Sequence, residues 1–486
     1  MTQISIPNLA SLFVYLRRYL MVFCFSGLML SLSAEALEVD SSFGQLGGAT
    51  CDNGGWEDHA RFVVTDSFGR VVVGVTSENP IIAMRSVQRV ILLCRFNSNG
   101  TPDTSFGSGG KIVLRLLKCY LTEIRGLQVD SQNRILVGYQ LDWRFQQSKV
   151  TYEWGILRLN SNGERDLKFG TSGSIPKRYG LLGMIMDSAD RIIAMSRATN
   201  VYNSSGGASL QRYSVNGQLD SSYGVGGEGL IPFTQTNLEA QYNSSTHYSI
   251  AKVLPDGGVL LQGINIKFQV NFGPVNCSGI FVRLTPEGMP YFQFGHNGSA
   301  SFPFTNFTPG MDSMYIDGAD MDSLGRAYGF WRLSTLVGGN ETFKSNVVSR
   351  LTPEGNVDSF FGDSATPAIH YERFGGVGAD FHIAILVNDK PMGFGFIGPN
   401  IYSGLQVIYG GVRATLAVLQ LNPDGTPDGS FGQNGVFNTQ VSTVVAGLPY
   451  DTSTLNLGLI PDLNDGVLLL GGRRIAGLDP LVVRLK

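Results

Sequence analysis

The stretch Asp103-Thr-Ser-Phe106-Gly107-Ser-Gly-Gly110 decides how this chain is interpreted, because it recurs along the sequence. It follows the phrase Arg95-Phe-Asn-Ser-Asn-Gly100, and the two phrases return together as a pair. An aromatic residue followed by glycine marks each copy, and successive copies are spaced 54 to 71 residues apart. A self-similar period of this length with regular glycines predicts a propeller or a solenoid. The aromatic residues are Phe43, Phe106, Phe169, Tyr223, Phe294, Phe361 and Phe431.

A second landmark divides each repeat into short strands. It is a turn such as Asp66-Ser-Phe-Gly-Arg70, which follows an apolar run. Aspartate and asparagine favour such turns because their side chains accept hydrogen bonds from backbone N–H groups two residues on. Between the landmarks lie runs rich in apolar or β-branched residues, which are typical of strands. In the second repeat these runs predict four strands: Ile124–Val129, Ile135–Gln140, Gly155–Leu159 and Ser174–Arg178.

The two ends of the repeat region complement each other. Asp40–Gly48 is a copy of the recurring phrase with no strands before it, and Leu481–Lys486 forms only the third strand of the last repeat. Pairing these ends would complete a seventh sheet, remove an exposed edge strand and close a ring. The predicted fold is therefore all-β: a seven-bladed β-propeller of four-stranded antiparallel blades over residues 37–486, closed by pairing of the N-terminal and C-terminal segments.

The recurring phrase resembles the bacterial delta-60 repeat family, most closely at Arg95–Gly110 and Leu421–Gly435. The resemblance extends over nearly all of Leu37–Lys486 and implies a secreted or cell-envelope β-propeller. It brings no catalytic residues with it. Tyr291 and Gln420 depart from the family pattern, which favours a turn-forming role for the motif residues over a strict functional set.

Residues 1–36 are predicted to lie outside the fold. Arg17 and Arg18 precede the mostly apolar run Leu20–Leu32, and Ala34-Glu-Ala36 offers a small-residue cleavage site. This order is typical of a secretory signal peptide, and retention as a membrane anchor is the alternative. The expected location is secreted, periplasmic or at the cell surface, with no membrane span after cleavage.

Charge and cysteine content narrow the classes of partner. A formal net charge of −3 with 15% charged residues gives no basic field for nucleic acid. Separately, the protein is expected to be a monomer. Four cysteines remain after cleavage, and an oxidising compartment would permit disulfides. Cys51 and Cys119 occupy similar places in adjacent repeats and are the first predicted pair; buried unpaired thiols are the alternative. The other two cysteines are Cys94 and Cys277.

Two regions are candidates for ligand binding. Variable loops between the second and third strands of each blade carry aromatic residues suited to binding sugar or protein surfaces. The alternative is that these loops vary freely and bind nothing. The loop candidates are Trp143, Phe145, Tyr202, Phe268 and Tyr402. The first strands are expected to line a central channel, and counting back from the turns places a polar set near one rim. The channel candidates are His59, Arg61, Glu123, Arg125, His247, Tyr315, Asp380 and His382.

Three functions remain open on these observations. The sequence favours a binding or interaction module for an unknown protein or glycan, without a cofactor. Histidines and carboxylates at a channel mouth would also suit a divalent cation or general acid–base chemistry, which leaves a metal-assisted hydrolase or lactonase as the alternative. The third candidate function is that of a structural spacer in a surface assembly. In that case the polar residues would line a hydrated channel that binds no ligand.

Overall fold

The computed structural model describes one unit, Glu38–Lys486, over much of its length. The described residues are 40–485 apart from 46, 55, 80–87, 117–120, 144–150, 179, 198–207, 230, 232–241, 270–272, 305–311, 338–339, 363–367, 372–378, 388–389, 398–414, 431–435, 440–457, 462–466 and 475–477. The predicted leader, residues 1–36, lies outside them. In the described part of the chain, no helix has the length and apolar character needed to cross a membrane.

The regular elements described are β-strands, and the chain order assigns them to successive antiparallel sheets. The first strand, β1, is Gly48–Thr50. Sheet I contains β2 (Glu57–Thr65), β3 (Val71–Asn79), β4 (Gln88–Phe96) and β5 (Lys111–Leu114). Sheet II contains β6 (Leu121–Val129), β7 (Ile135–Trp143), β8 (Thr151–Leu159) and β9 (Ser174–Arg178). Sheet III contains β10 (Leu181–Met186), β11 (Ile192–Arg197), β12 (Ala208–Tyr213) and β13 (Glu228–Gly229).

The later sheets repeat the same order. Sheet IV contains β14 (Tyr242–Val253), β15 (Val259–Gln269), β16 (Gly273–Leu284) and β17 (Ser299–Pro303). Sheet V contains β18 (Asp312–Met321), β19 (Ala327–Val337), β20 (Asn340–Leu351) and β21 (Ala368–Tyr371). Sheet VI contains β22 (Ala379–Val387), β23 (Lys390–Ile397), β24 (Thr415–Gln420) and β25 (Val436–Thr439). Sheet VII joins β26 (Gly458–Pro461), β27 (Val467–Arg474) and β28 (Leu478–Leu485) to β1.

The first strands of neighbouring sheets contact one another in succession, and β26 also contacts β2. The hydrophobic clusters accordingly lie between sheets: one of them joins Val72 and Ile91 of sheet I to Ile124 and Leu157 of sheet II. Because both faces of a sheet are covered, its middle strands read as continuous apolar runs, such as Val71-Val-Val-Gly-Val75. The stacking of each sheet against its neighbours is that of a β-propeller.

The head of the chain pairs with its tail. In sheet VII, β1 runs antiparallel to β28, with Ala49 opposite Val482. The Asp40 N–H donates to the Arg484 carbonyl at 3.0 Å, and the Cys51 N–H donates to the Pro480 carbonyl at 3.0 Å. The pairing expected from the two ends of the sequence is therefore present in the structure.

In five of the sheets that the structure describes, the arginine of the recurring phrase joins its sheet to the following one. The buried Arg95 guanidinium pairs with Asp103 at 2.8 Å and lies over the Phe106 ring at 4.4 Å. It also donates to the Ser161 carbonyl in the turn of sheet II. We call this arrangement the Arg–Asp–aromatic cluster. Equivalent arginines donate to the following sheet in the same way: Arg158 to Val215, Arg212 to Pro286, Arg350 to Pro423 and Arg484 to Ser98.

The aromatic–glycine pair adds a second link between sheets. The N–H of Gly107 donates to the Asn162 carbonyl at 3.3 Å, and that of Gly170 donates to the Asn216 carbonyl at 2.9 Å. Gly107 has a φ of 55°, and a Cβ there would lie 2.3 Å from the Lys111 carbonyl oxygen, so only glycine fits. The motif residues thus do more than form turns, which is all that the sequence predicted.

In the clusters of sheets I and II the surroundings lower the pKa of the aspartate and favour its ionised form. Burial raises the pKa of Asp103, but hydrogen bonds from Ser105 and the charge and hydrogen bond of Arg95 outweigh it, so the net pKa is lowered. Asp166 shows the same balance with Lys168 and Arg158. In sheet IV, where Tyr291 replaces the aspartate, Arg283 lies over the Tyr291 ring at 4.1 Å and pairs instead with Asp256 at 2.8 Å.

The predicted disulfide is wrong. Cys51 bonds to Cys94, with a Cα–Cα distance of 5.8 Å, and Cys119 lies outside the described residues. The prediction paired two cysteines because they occupy similar places in adjacent repeats. In the structure, the segment after β1 instead lies against β4, because sheet VII neighbours sheet I. Cys277 is a buried free thiol, whose pKa burial raises to about 12.

Candidate ligand-binding site on the inner strands

The first strands carry a β-bulge in six of the seven sheets that the described residues form. At each bulge one extra residue interrupts the pairing with the second strand: Arg61, Arg125, Leu182, Ala251, Asp317 and His382. A bulge bends its strand and re-aims a side chain, and such bulges are frequent beside binding sites. Three of these six residues, Arg61, Arg125 and His382, belong to the channel set predicted from the sequence.

The structure places most of the predicted channel residues at corresponding positions of the inner strands. His59, Glu123, His247 and Tyr315 lie opposite Thr76, Gln140, Ile264 and Arg332 on the second strands. Asp380 and His382 lie on β22, the first strand of sheet VI. In sheet IV the bulge falls at Ala251, closer to the turn, so Ser249 stays in the regular ladder opposite Gln262. The side chains of His247, Tyr315, Asp380 and His382 lie outside the described residues.

A network of charged side chains that includes Glu123 and Arg125 joins sheets I and II. Arg89 of β4 donates to Glu78 of β3 at 2.8 Å and to Glu123 of β6 at 3.0 Å. Glu123 also accepts from Arg125 at 2.6 Å. One arginine therefore bridges two blades, and one carboxylate holds the exposed Arg125 in place.

His59 and Arg61 are the other two predicted channel residues whose side chains the structure describes, and both are half-buried. Burial lowers the pKa of Arg61; the charge of Glu123 opposes this shift, and the charges of Arg125 and Arg89 add to it. Burial also lowers the pKa of His59, and Arg61 lowers it further, against the charges of Glu78 and Glu57. The surroundings thus keep His59 neutral and give Arg61 two cationic neighbours.

The described carboxylates of the network, Glu78 and Glu123, are paired with arginines. Among the side chains that the structure describes, no three histidines, cysteines, aspartates or glutamates come together as a metal site. Glu123, which belongs to the predicted channel set, accepts from two guanidinium groups, those of Arg89 and Arg125. The repeated aspartates of the turns cap backbone: Asp424 accepts from the N–H of Thr426 at 2.9 Å and from its hydroxyl at 2.7 Å.

The sequence count missed Glu78 and Arg89, because they lie on the second and third strands. The two residues are register partners across the β3–β4 hairpin, and an opposite-charge pair of this kind stabilises adjacent strands. The sequence assigned this part of the chain to a loop. A prediction that extended both strands would have brought the two residues together.

The predicted loop aromatics are only partly placed. Trp143 ends β7 and Phe268 lies on β15, whereas Phe145, Tyr202 and Tyr402 lie outside the described residues. The chain expected to form loops in sheets IV and V continues the strands, with Gln269 opposite Gly273 and Val337 opposite Asn340.

Comparisons with known proteins support the fold. A family model described as a domain of unknown function (DUF5122) beta-propeller matches residues 69–106. The polysaccharide lyase Uly1 is similar with a TM-score of 0.51 and 10% identity, over 88% of this chain and 89% of that chain. A polysaccharide lyase described as a PL25 ulvan lyase has a TM-score of 0.45 and 10% identity, over 92% and 94% of the two chains. Drosophila Semaphorin 2a has a TM-score of 0.42 and 10% identity, over 90% and 75%. A search of curated protein sequences found no significant match.

The match at residues 69–106 begins in the first turn of sheet I and ends at the aromatic residue of its Arg–Asp–aromatic cluster. The similarity to Uly1 is one of fold. Together with the antiparallel four-stranded sheets, these findings make the chain an all-β protein of the β-propeller class.

Proposed function

We propose that the chain is a closed, seven-bladed propeller of delta-60-like repeats that binds a ligand outside the cytoplasm. The pairing of β1 with β28 and the contact of β26 with β2 support ring closure. The hydrogen bond from Arg484 to the Ser98 carbonyl, at 2.6 Å, supports it further because it joins sheet VII to sheet I as the other clusters join their sheets.

One observation carries the binding function: the charged network on the inner strands of sheets I and II. Arg61 and Arg125 project from bulges on adjacent blades, and Arg125 is 41% exposed while Glu123 holds it. A rigid scaffold that presents ordered, partly exposed charged groups is suited to recognition. Because the described carboxylates are engaged by arginines, the network favours binding over acid–base or metal chemistry.

The ligand class proposed is a glycan or a protein, bound by a monomer. The fold-level neighbours include a polysaccharide lyase, so carbohydrates belong in the first screen. Secretion is part of the proposal, since the Cys51–Cys94 disulfide requires an oxidising compartment. Residues 1–36 would direct the export and be removed.

An array experiment tests the proposal. The full chain is expressed with its own leader, recovered from the periplasm or medium, and applied to glycan and protein arrays beside the double variant R61Q/R125Q. We expect signal on a defined set of ligands that the double variant loses. R115Q is the matched control, because Arg115 is exposed just after β5, the outermost strand of sheet I. Binding that the double variant retains in full, or a chain that is not exported, would contradict the proposal.

A further inference from the structure

Among the described residues, Arg61 differs from the other arginines of the network because it makes no ion pair. Arg89 is shared by Glu78 and Glu123, and Arg125 is held by Glu123. In the described part of the chain Arg61 lies on β2, which contacts β6. The nearby charge of Glu123 raises the pKa of Arg61, whereas burial and the charges of Arg125 and Arg89 lower it. Three guanidinium groups therefore share two bonded carboxylates, which leaves one positive charge without a partner.

An unpaired, half-buried arginine beside two others is costly unless an anion completes it. Guanidinium groups recognise carboxylates by two parallel hydrogen bonds, which give both strength and orientation. Glu123 already fixes the position of Arg125, so that group would lose little conformational freedom on binding. Arg61 and Arg125 are thus prepared to share one oxyanion.

We propose that the surface between β2 and β6 binds the carboxylate of an acidic sugar, through Arg61 and Arg125. The inference rests on the proposed binding function and names its ligand class. The sugar hydroxyls would meet His59, Glu78 and Glu123, which together supply both hydrogen-bond donors and acceptors.

The surroundings favour a sugar over an acidic peptide. Large apolar side chains that are well exposed occur elsewhere in the described residues, for example Phe68 in a turn and Phe360 in sheet V. The described side chains of β2, β3, β4 and β6 include no such residue. A surface rich in charged and polar groups suits a polyhydroxylated ligand, whereas peptide interfaces depend on buried aromatic and apolar anchors.

Isothermal titration of the full chain with a tetragalacturonate tests the inference. The matched ligand is the same tetrasaccharide with its carboxyl groups methyl-esterified, and a glutamate tetrapeptide represents the acidic peptide. We expect the free acid to bind, and to bind about tenfold or more tightly than either of the others, since each lost charged hydrogen bond costs roughly that factor. Binding of the free acid should weaken as salt rises.

Variants locate the site. R61Q and R125Q should each weaken binding of the acid about tenfold while leaving the thermal unfolding midpoint near the wild-type value, and R115Q should bind as the wild type does. Equal affinity for acid and ester, tighter binding of the peptide, or full affinity in R61Q would overturn the inference. If the arrays find a ligand that is neutral and still depends on Arg125, the binding function stands and the acidic-sugar class fails. If no ligand is found, the binding function fails.

Discussion

At the scale of single residues, the arginine of the recurring phrase explains why the phrase recurs. Arg158 is buried, pairs with Asp166 at 2.8 Å, lies over the Phe169 ring at 4.4 Å and donates to the Val215 carbonyl of the next sheet. The sequence indicated the turn, because Asp166 and its neighbours have turn chemistry. It could not indicate the bond to the next blade, since the acceptor lies 57 residues away along the chain.

Replacing this arginine should weaken one blade junction. R158A removes the guanidinium that pairs with the buried Asp166 and leaves it only the Lys168 N–H, so we expect the free energy of unfolding to fall by about 3 kcal/mol, measured by urea denaturation. K168A is the control, because Lys168 is exposed in the same turn. A loss in R158A no larger than in K168A would show that the cluster is not a structural link.

His59 should give the protein a stability component that depends on pH. Its pKa is lowered by burial and by Arg61, with Arg89 acting in the same sense and Glu57 and Glu78 opposing. A histidine with a lowered folded pKa contributes stability that is fully present above its unfolded value of about 6.5 and is lost as pH falls below it. The unfolding midpoint of the wild type should therefore fall more steeply than that of H59Q between pH 7.5 and 5.5. Parallel pH profiles for the two proteins would argue against a buried, neutral His59.

At the scale of elements, the turns and the aromatic–glycine pairs located the strands well. In sheet II the fourth predicted strand is Ser174–Arg178 as observed, and the first three were predicted too short. The residues beyond the predicted ends mix buried apolar side chains, such as Leu141 and Trp154, with polar ones, such as Glu123, and this mixture interrupts the apolar run that marked each strand. The bulge at Arg125 had no sequence signal, because a bulge is set by twist and packing rather than by residue type.

The candidate site, like the strands, could be predicted from the sequence only in part. Counting from the turns placed His59 and Glu123 at corresponding positions, since every first strand runs back from a similar turn. Arg89 could not be found by that count, because its contact with Glu123 crosses from one blade to the next. The disulfide was predicted wrongly for a related reason. Cys51 and Cys94 come together only because sheets VII and I are neighbours, which the positions of cysteines within single repeats do not show.

The disulfide fixes the segment after β1 to β4, and its loss should be measurable. C94A should lower the free energy of unfolding by about 2–4 kcal/mol, because the bond restricts the unfolded chain over a separation of 43 residues. Peptide mapping without reduction should recover one linked pair containing Cys51 and Cys94. A linked pair containing Cys51 and Cys119 would restore the pairing expected from the sequence.

At the scale of the whole molecule, stability depends on contacts between successive sheets rather than on one central core. Each hydrophobic cluster described spans two neighbouring sheets, and the cluster of Phe43, Val73, Leu92 and Leu470 spans sheets VII and I. Separating β1 from β28 would expose the edge of β28, so this pairing contributes directly to the stability of sheet VII. If the propeller is closed as we propose, β1 is the strand on which closure depends.

Hydrogen exchange at β1 tests ring closure most directly. The N–H of Cys51 donates to the Pro480 carbonyl, and Ala49 lies opposite Val482 in β28. In the oxidised full chain, followed by mass spectrometry, we expect residues 48–51 to exchange as slowly as residues 478–485. Exchange of residues 48–51 within seconds, beside a protected β28, would contradict closure of the ring by the head of the chain.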